Sequence, residues 1–328
     1  MNMNTDLLDL IGNTPMTRLK NLQPESGANI WAKLEYFNLT GSVKDRMAAF
    51  IVEDAEKRGL LKPGGTIVEN SSGNTGAALA LISAIRGYRC IITIPDKMSD
   101  EKINLMRAYG AEVIVTPTDV PADSPESYYS VARRKAEEIP GAFYPDQYNN
   151  PKNIEAHYCT TGPEIWEQSE GRIDYFIAGI GTGGTLSGTA KFLKEKNPNI
   201  KVIAVDPEGS VFYNYFKTGQ CGQPHVYKVE GIGEDYLVKA VDFDLIDEIV
   251  QCNDRDSFVT ARLLAKKEGI FAGGSSGSAV WAALEVAKRA KPGENIITIL
   301  PDHGSRYLSK LYNDTWMIEH GFMTESER

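Results

Sequence analysis

The chain of 328 residues is poor in sulfur and imidazole, with four cysteines and four histidines. Cys90, Cys159, Cys221 and Cys252 lie far apart, which leaves no CxxC pair for redox or zinc chemistry and too few thiols for a disulfide framework. They read as free thiols, with Cys90 a core residue inside Cys90-Ile-Ile-Thr-Ile. The histidines show no HExxH or paired spacing, so no metal site is expected. No stretch reaches the ~18 apolar residues that crossing a bilayer requires. Met1-Asn-Met-Asn-Thr-Asp lacks the basic and apolar runs of a signal peptide, so the expectation is a cytoplasmic protein. Positive charge is scarce as well: 35 Lys and Arg against 44 Asp and Glu give a net charge of −9. With a pI near 5.2, the chain offers no basic face to displace counterions from phosphates, which argues against nucleic-acid and anionic-membrane partners. The balance suits a protein that handles small molecules.

What is present is ordinary globular composition, 42% hydrophobic and 24% charged, in a length that fits one large or two ordinary α/β domains. There is no internal repeat, no Gly/Ser linker and no biased stretch outside the polar tail 324–328. Short apolar runs bounded by turn residues predict strands at 30–34, 66–69, 90–94, 112–116, 175–178, 202–205, 247–250 and 296–300. Between them, helical periodicity predicts helices at 43–57, 74–86, 99–109, 127–138, 185–196, 255–267 and 278–290. This alternation predicts an open, doubly wound α/β architecture with helices on both faces of its sheets. The turn-rich segments 117–125 and 217–224 read as mobile surface loops. Open α/β sheets bind ligands outside the carboxyl ends of their strands, so the loops after strands are where chemistry should lie.

Four of those loops are unusual. In Gly41-Ser42-Val43-Lys44-Asp45-Arg46, a glycine turn and a candidate N-cap, Ser42, with Asp45 at the capping-box position, put Lys44 in a first helical turn. The positive end of a helix disfavours a protonated amine, which suits a Schiff-base lysine; the alternative is a solvated lysine paired with an acid. In Glu69-Asn70-Ser71-Ser72-Gly73-Asn74-Thr75-Gly76, hydroxyls, an amide and glycines form either a carboxylate-binding nest or a plain helix cap. Gly179-Ile-Gly181-Thr182-Gly183-Gly184-Thr185 opens a helix with free N–H groups and two hydroxyls, a cradle for phosphate. It also contains GxGxxG, with Asp206 ending the next strand, so a dinucleotide site is a rival reading; no Lys-Ser/Thr pair follows, which disfavours a P-loop. In Gly269-Ile-Phe-Ala-Gly273-Gly274-Ser275-Ser276-Gly277-Ser278, glycines permit contact with a flat ring and a serine can meet a ring nitrogen, or the loop is only a tight turn and cap. A single cofactor with an aldehyde, a phosphate and a pyridine nitrogen, pyridoxal phosphate, needs the lysine, cradle and serine together.

From Ile11-Gly-Asn-Thr-Pro15 to Trp316-Met-Ile-Glu-His-Gly-Phe322, the chain resembles the fold-type II pyridoxal-phosphate enzymes of the cystathionine β-synthase and cysteine synthase family, related in fold to the tryptophan synthase β chain. Ile94-Pro-Asp-Lys-Met-Ser99, Asp123-Ser-Pro-Glu-Ser127, Asp206-Pro-Glu-Gly-Ser210 and Val229-Glu-Gly-Ile-Gly233 look more like cystathionine β-synthase than plain cysteine synthase. The resemblance implies a Schiff base on Lys44, which also shuttles the α-proton, Asn74 on the cofactor's ring oxygen, Gly181, Thr182, Gly183, Gly184 and Thr185 on its phosphate, and Ser275 at its ring nitrogen. It implies that Ser71, Ser72, Gly73, Asn74 and Thr75, with Gln147, bind the substrate carboxylate, and that Tyr148 and Gly231 border the site. It further implies two lobes, a smaller mobile one at 36–146 and a larger one at 1–35 plus 147–328, a homodimer, and β-replacement of serine or an activated serine by a thiol. Serine with homocysteine gives cystathionine; O-acetylserine with sulfide, or an O-phosphoserine donor, are the alternatives. Human-type members carry a haem-binding extension and regulatory domains, and regulation by haem or S-adenosylmethionine is not expected here. Asn197-Pro-Asn199 replaces their CxxC, and Glu234 stands where many carry tyrosine. A cofactor-holding but idle relative is the non-enzymatic alternative, and the retained Lys44, Asn74 and Ser275 argue against it.

Overall fold

The computed structural model describes residues 6–121 and 123–328. Residues 1–5, on which the reading of the N-terminus rests, and position 122 within the 117–125 segment lie outside the described residues. Nine strands are formed among the described residues: β1 (Met16–Arg18), β2 (Asn29–Leu34), β3 (Thr66–Asn70), β4 (Arg89–Pro95), β5 (Glu112–Thr116), β6 (Tyr175–Gly179), β7 (Lys201–Pro207), β8 (Glu248–Cys252) and β9 (Asn295–Leu300). The helices are α1 (Lys44–Lys57), α2 (Asn74–Arg86), α3 (Asp100–Ala108), α4 (Tyr128–Glu138), α5 (Lys152–Cys159), α6 (Thr161–Gln168), α7 (Gly184–Lys196), α8 (Phe212–Thr218), α9 (Asp254–Leu263), α10 (Gly274–Ala287) and α11 (Asp314–Glu319).

The strands form two sheets, one in the order β1-β2-β9-β6-β7-β8 and one in the order β3-β4-β5. Apart from the antiparallel β1–β2 pair, every ladder is parallel. Alternate side chains along each strand enter opposite layers, as the twofold period of a strand requires. Ile177, Ile203, Val205 and Ile296 pack with Val280 and Ala283 of α10. Their neighbours Phe176, Ala178, Val202 and Ile297 pack with Leu186, Ala190 and Leu193 of α7. In the smaller sheet, Ile67, Ile92 and Ile94 face α1, α2 and α3 through Val52, Leu79 and Met106, while Val68 and Ile91 face Ala132 of α4. Both sheets therefore carry helices on both faces, as the apolar runs predict, and Cys90 is buried in the core of the smaller one. All four cysteines are free thiols.

Two local readings change. Val43, not Ser42, precedes α1, and the Asp45 carboxylate turns away from any capping box to accept from Thr40 N at 2.7 Å and from Thr40 Oγ1. The helix expected from 278 begins four residues earlier, at Gly274. A Cβ on Gly277 would lie 1.9 Å from the Ser257 carbonyl oxygen, so this glycine serves the close packing of α10 on α9, and only looks like a turn signal in the sequence.

Candidate active site

The carboxyl ends of β2, β9 and β6, neighbours in the larger sheet, set the position of the site. After β2 the chain turns through Gly41, at φ +79°, and runs beside the segment leaving β9: Val43 N donates to Pro301 O at 2.8 Å and His303 N to Gly41 O at 3.1 Å. This fixes Lys44 as the first residue of α1. Burial lowers the pKa of its ammonium below the usual lysine value, opposed by the Asp302 and Glu234 carboxylates and reinforced by Lys102. Desolvation thus does most of the work that the helix terminus was expected to do.

The glycine loop joins β6 to α7. Gly183 has φ +90°, and a Cβ there would meet the Ala240 backbone at 2.6 Å; on Gly181 it would meet the Gly231 carbonyl oxygen at 2.5 Å, and on Gly184 the Asn153 amide at 1.9 Å. The loop is held from behind this tightly, leaving its forward N–H groups at the start of α7 without intrahelical acceptors. Asn153 Nδ2 donates to Thr182 Oγ1 at 2.9 Å, so the Thr182 proton is left to donate elsewhere. Thr185 Oγ1 lies 3.2 Å from Nε2 of His157, a buried imidazole that burial, Arg46 and Lys44 keep neutral. Lys44, Gly181, Thr182, Gly183, Thr185 and Gly231 line one cavity.

The Ser/Asn loop joins β3 to α2. Ser71 Oγ accepts from Gly73 N at 3.0 Å and Gly76 N at 2.9 Å, which leaves its own proton to donate. Thr75 Oγ1 donates to Gln147 Oε1 at 2.6 Å, and Gln147 Nε2 donates to Asn70 O at 2.8 Å. Gln147 is therefore committed to orienting Thr75. Ser72 is half-buried, and a Cβ on Gly73 would lie 2.5 Å from the Lys102 side chain. Tyr148 is buried, its hydroxyl 3.4 Å from that of Tyr128. Ser275, buried in the first turn of α10, does not line the cavity.

The residue that joins these loops is one that sequence reasoning did not assign. Asp302 pairs its backbone with Ser42, accepts from Gly273 N at 3.0 Å through its carbonyl, and accepts from Asn74 Nδ2 at 2.8 Å through its carboxylate. Arg306 donates to Asn74 Oδ1 and to the Thr40 carbonyl. Asp302 follows the predicted strand 296–300 directly, so the rule that pointed to the other loops applied to it too. Asp206, the acid of the dinucleotide alternative, is buried at the end of β7 and accepts from Tyr213 N at 2.9 Å beside α8, a structural cap with no access to a ribose.

The donor set fits pyridoxal phosphate. A desolvated lysine shares one cavity with a glycine cradle and a hydroxyl that has a proton to spare, while Asp302 Oδ1 and Ser276 Oγ, both beside the fourth loop, are buried without hydrogen-bond partners.

The family described as pyridoxal-phosphate dependent enzyme matches residues 7–302. Cystathionine beta-synthase of Rattus norvegicus is 48% identical over 322 residues, covering 98% of this chain and 57% of that protein. The chain thus spans a little over half the length of this relative. Cysteine synthase of Staphylococcus aureus is 42% identical over 93% of this chain and 95% of its own length. A crystal structure of O-ureido-L-serine synthase matches with a TM-score of 0.88 and 37% identity over 96% of this chain and 99% of that one. An O-acetylserine dependent cystathionine beta-synthase from Helicobacter pylori matches with a TM-score of 0.86 and 39% identity over 94% of this chain and 99% of that one.

Proposed function

The chain belongs to the pyridoxal-phosphate dependent enzymes, and from that premise we propose that it catalyses β-replacement on serine or an activated serine, with homocysteine as the thiol and cystathionine as the product. The observation that carries this reading is the single cavity shared by Lys44 and the Gly181–Thr185 loop. When bound, the cofactor supplies an electron sink for the charge left at the substrate's Cα.

This chain's residues supply the rest. Lys44 Nζ, whose protonated form burial disfavours, would hold the cofactor's aldehyde carbon between turnovers. With its amine free, Lys44 would act as the general base that takes the substrate's α-proton and later returns it. The Thr182 hydroxyl, the Thr185 hydroxyl and the first N–H groups of α7 bind the phosphate, with Gly181, Gly183 and Gly184 allowing the close approach. Asn74, oriented by Asp302 and Arg306, donates to the ring oxygen, and Ser275 meets the ring nitrogen. Ser71, Ser72, Gly73 and Thr75 bind the donor's carboxylate, with Gln147 positioning Thr75 and with Tyr148 and Gly231 at the border. The division into lobes at 36–146 and at 1–35 plus 147–328, a cytoplasmic location and a homodimer belong to the same proposal. O-acetylserine is the second donor to test, because a solved relative is named for its use.

The test is the visible absorbance of the purified protein supplied with pyridoxal phosphate, followed during addition of serine, O-acetylserine and O-phosphoserine. Absorbance that responds to one donor and is lost in Lys44→Ala is expected, with cystathionine formed once homocysteine is added. A protein that takes up no cofactor would end the proposal. Light scattering tests the homodimer.

A further inference from the structure

Helix α5 is wedged behind the site, between the two helices that open onto the cavity. Its Ala156 packs with Met47 and Ile51 of α1. On the other side it presses so closely on α7 that a Cβ on Gly184 would lie 1.9 Å from Asn153 Oδ1, and one on Gly188 2.2 Å from the Ile154 carbonyl oxygen. The chemistry above uses no residue of α5, yet its buried Asn153 reaches two parts of the site at once. Asn153 Nδ2 donates to the Gln147 carbonyl oxygen at 2.8 Å and to Thr182 Oγ1 at 2.9 Å.

The first of these partners decides how the amide is turned. A backbone carbonyl can only accept, so the NH2 end of Asn153 must face Gln147, and that same end meets Thr182. Thr182 therefore accepts from Asn153 and keeps its own proton for another acceptor. Gln147 in turn accepts from Thr75 Oγ1 at 2.6 Å through Oε1 and donates to Asn70 O at 2.8 Å through Nε2. Thr182, Asn153, Gln147 and Thr75, all buried, thus form one hydrogen-bonded chain from the glycine loop after β6 to the Ser/Asn loop after β3. We infer that Asn153 is a positioning residue for both halves of the site: it makes the Thr182 hydroxyl a donor to the cofactor phosphate, and it holds the Gln147 that presents Thr75 to the donor's carboxylate. The inference rests on the assignment of Thr182 to the phosphate and of Thr75 to the carboxylate, and it adds the residue that ties the two together. Asn153 acts through Thr182 and Gln147, so its loss should be read in binding more than in the rate of the chemical step.

The experiment strips cofactor from the full chain and follows, by visible absorbance, the binding of pyridoxal phosphate and of pyridoxal, which lacks the phosphate. Wild type, Asn153→Leu and Thr182→Val are compared. Thr182→Val should bind pyridoxal phosphate about tenfold more weakly than wild type, the effect of one hydrogen bond to a charged group, with pyridoxal binding unchanged. Asn153→Leu should show the same selective loss. At saturating cofactor it should also raise the KM for the donor amino acid about fivefold with a smaller change in kcat, whereas Thr182→Val keeps the wild-type KM. Equal weakening of pyridoxal and pyridoxal phosphate in Asn153→Leu would mean a merely structural role and would overturn the inference, as would wild-type affinity for pyridoxal phosphate or an unchanged donor KM. If Asn153→Leu does not fold, Thr182→Val decides: undiminished affinity for pyridoxal phosphate leaves Asn153 no donor to position and overturns the inference, and a selective loss upholds it. A wild type that takes up no pyridoxal phosphate marks failure of the cofactor reading itself, while uptake by the wild type with undiminished variants marks failure of this inference alone.

Discussion

Arg46, two residues beyond Lys44, anchors the helix that carries the lysine, and removing its charge should cost more than any other single change in α1. Its guanidinium meets Glu35 through Nε at 2.7 Å and Nη2 at 2.9 Å, and Glu164 through Nη1 at 2.6 Å and Nη2 at 2.7 Å. Lys33 Nζ completes the network on Glu164 at 2.7 Å. The Arg46 and Glu35 side chains are 1% and 0% exposed. In Arg46→Met, Lys33 still serves Glu164, but Glu35 keeps only the Thr14 hydroxyl at 2.7 Å and the Asn38 amide at 2.9 Å. Breaking a buried pair from one side costs roughly 3–5 kcal/mol, because the remaining charge stays buried and uncompensated. At a urea slope of about 3 kcal/mol/M, this lowers the unfolding midpoint by about 1.3 M. Removing both partners takes the stranded charge away, so Arg46→Met with Glu35→Leu should recover at least half the loss. Urea unfolding of the wild type and both variants is the assay. If Arg46→Met lies within about 1 kcal/mol of wild type, or the double variant falls further than the single one, the stranded-carboxylate argument is wrong.

Ser71→Ala should cost roughly 2–6 kcal/mol in the same assay, since two buried N–H groups lose their acceptor at about 1–3 kcal/mol each. A loss below about 0.5 kcal/mol would mean that the loop relaxes to new partners. Asp206 has its carboxyl raised to about 7 by burial, against the Ser210 and Tyr213 hydrogen bonds. A raised folded-state value adds stability that is full below the unfolded value near 4 and lost as pH rises through about 7, up to about 4 kcal/mol. Asp206→Asn should therefore flatten the pH–stability profile over that window, and a profile parallel to wild type would refute the assignment. Lys102 and Lys310 meet on Glu230, Ser99 Oγ donates to Arg306 O at 3.0 Å, and Lys310 Nζ donates to Lys97 O at 3.0 Å. These contacts tie the 97–102 segment to residues 230 and 306–310. Hydrogen exchange over 99–140 should slow when donor binds, and Glu230→Gln should speed exchange in α3 while leaving α10 unchanged; equal effects on both helices would speak for global loosening instead.

The sheet was legible because buried parallel strands read as uninterrupted apolar runs. Every strand expected from the sequence forms, within two residues at each end. β1 escaped because two half-buried residues and the exposed Arg18, pairing only with β2, carry no such run. α5 and α6 escaped because Thr160, Gly162 and Pro163 interrupt what would otherwise read as one helical period. The loops were legible as glycine and hydroxyl clusters, but their wiring was not. Gln147 and Thr75 are 72 residues apart in sequence, Asn74 and Asp302 are 228 apart, and no local pattern encodes either bond.

Read alone, the Ser/Asn loop and the fourth loop left a plain helix cap as an alternative, the lysine loop a solvated lysine and the glycine loop a bare turn, and the fold itself shows what convergence adds. Lys44, Asn74 and Gly184 begin the helices that follow β2, β3 and β6, and Gly274 begins α10 beside the segment leaving β9, so all four are first residues of their helices. None of the four has a side-chain N-cap, whereas α4, α9 and α11 are capped by Ser127, Asn253 and Asn313. The absence is not specific, since α3, α5, α6 and α8 lack one too. What distinguishes the four is that three of their entry segments meet on Asp302 while α1 and α7 open onto one cavity. A cap satisfies its own helix and needs no neighbour. Two helix starts aimed at one cavity, and tied through Asp302 to the starts of α2 and α10, serve a ligand that touches them together, and an anionic cofactor with an aldehyde is the ligand these particular residues fit.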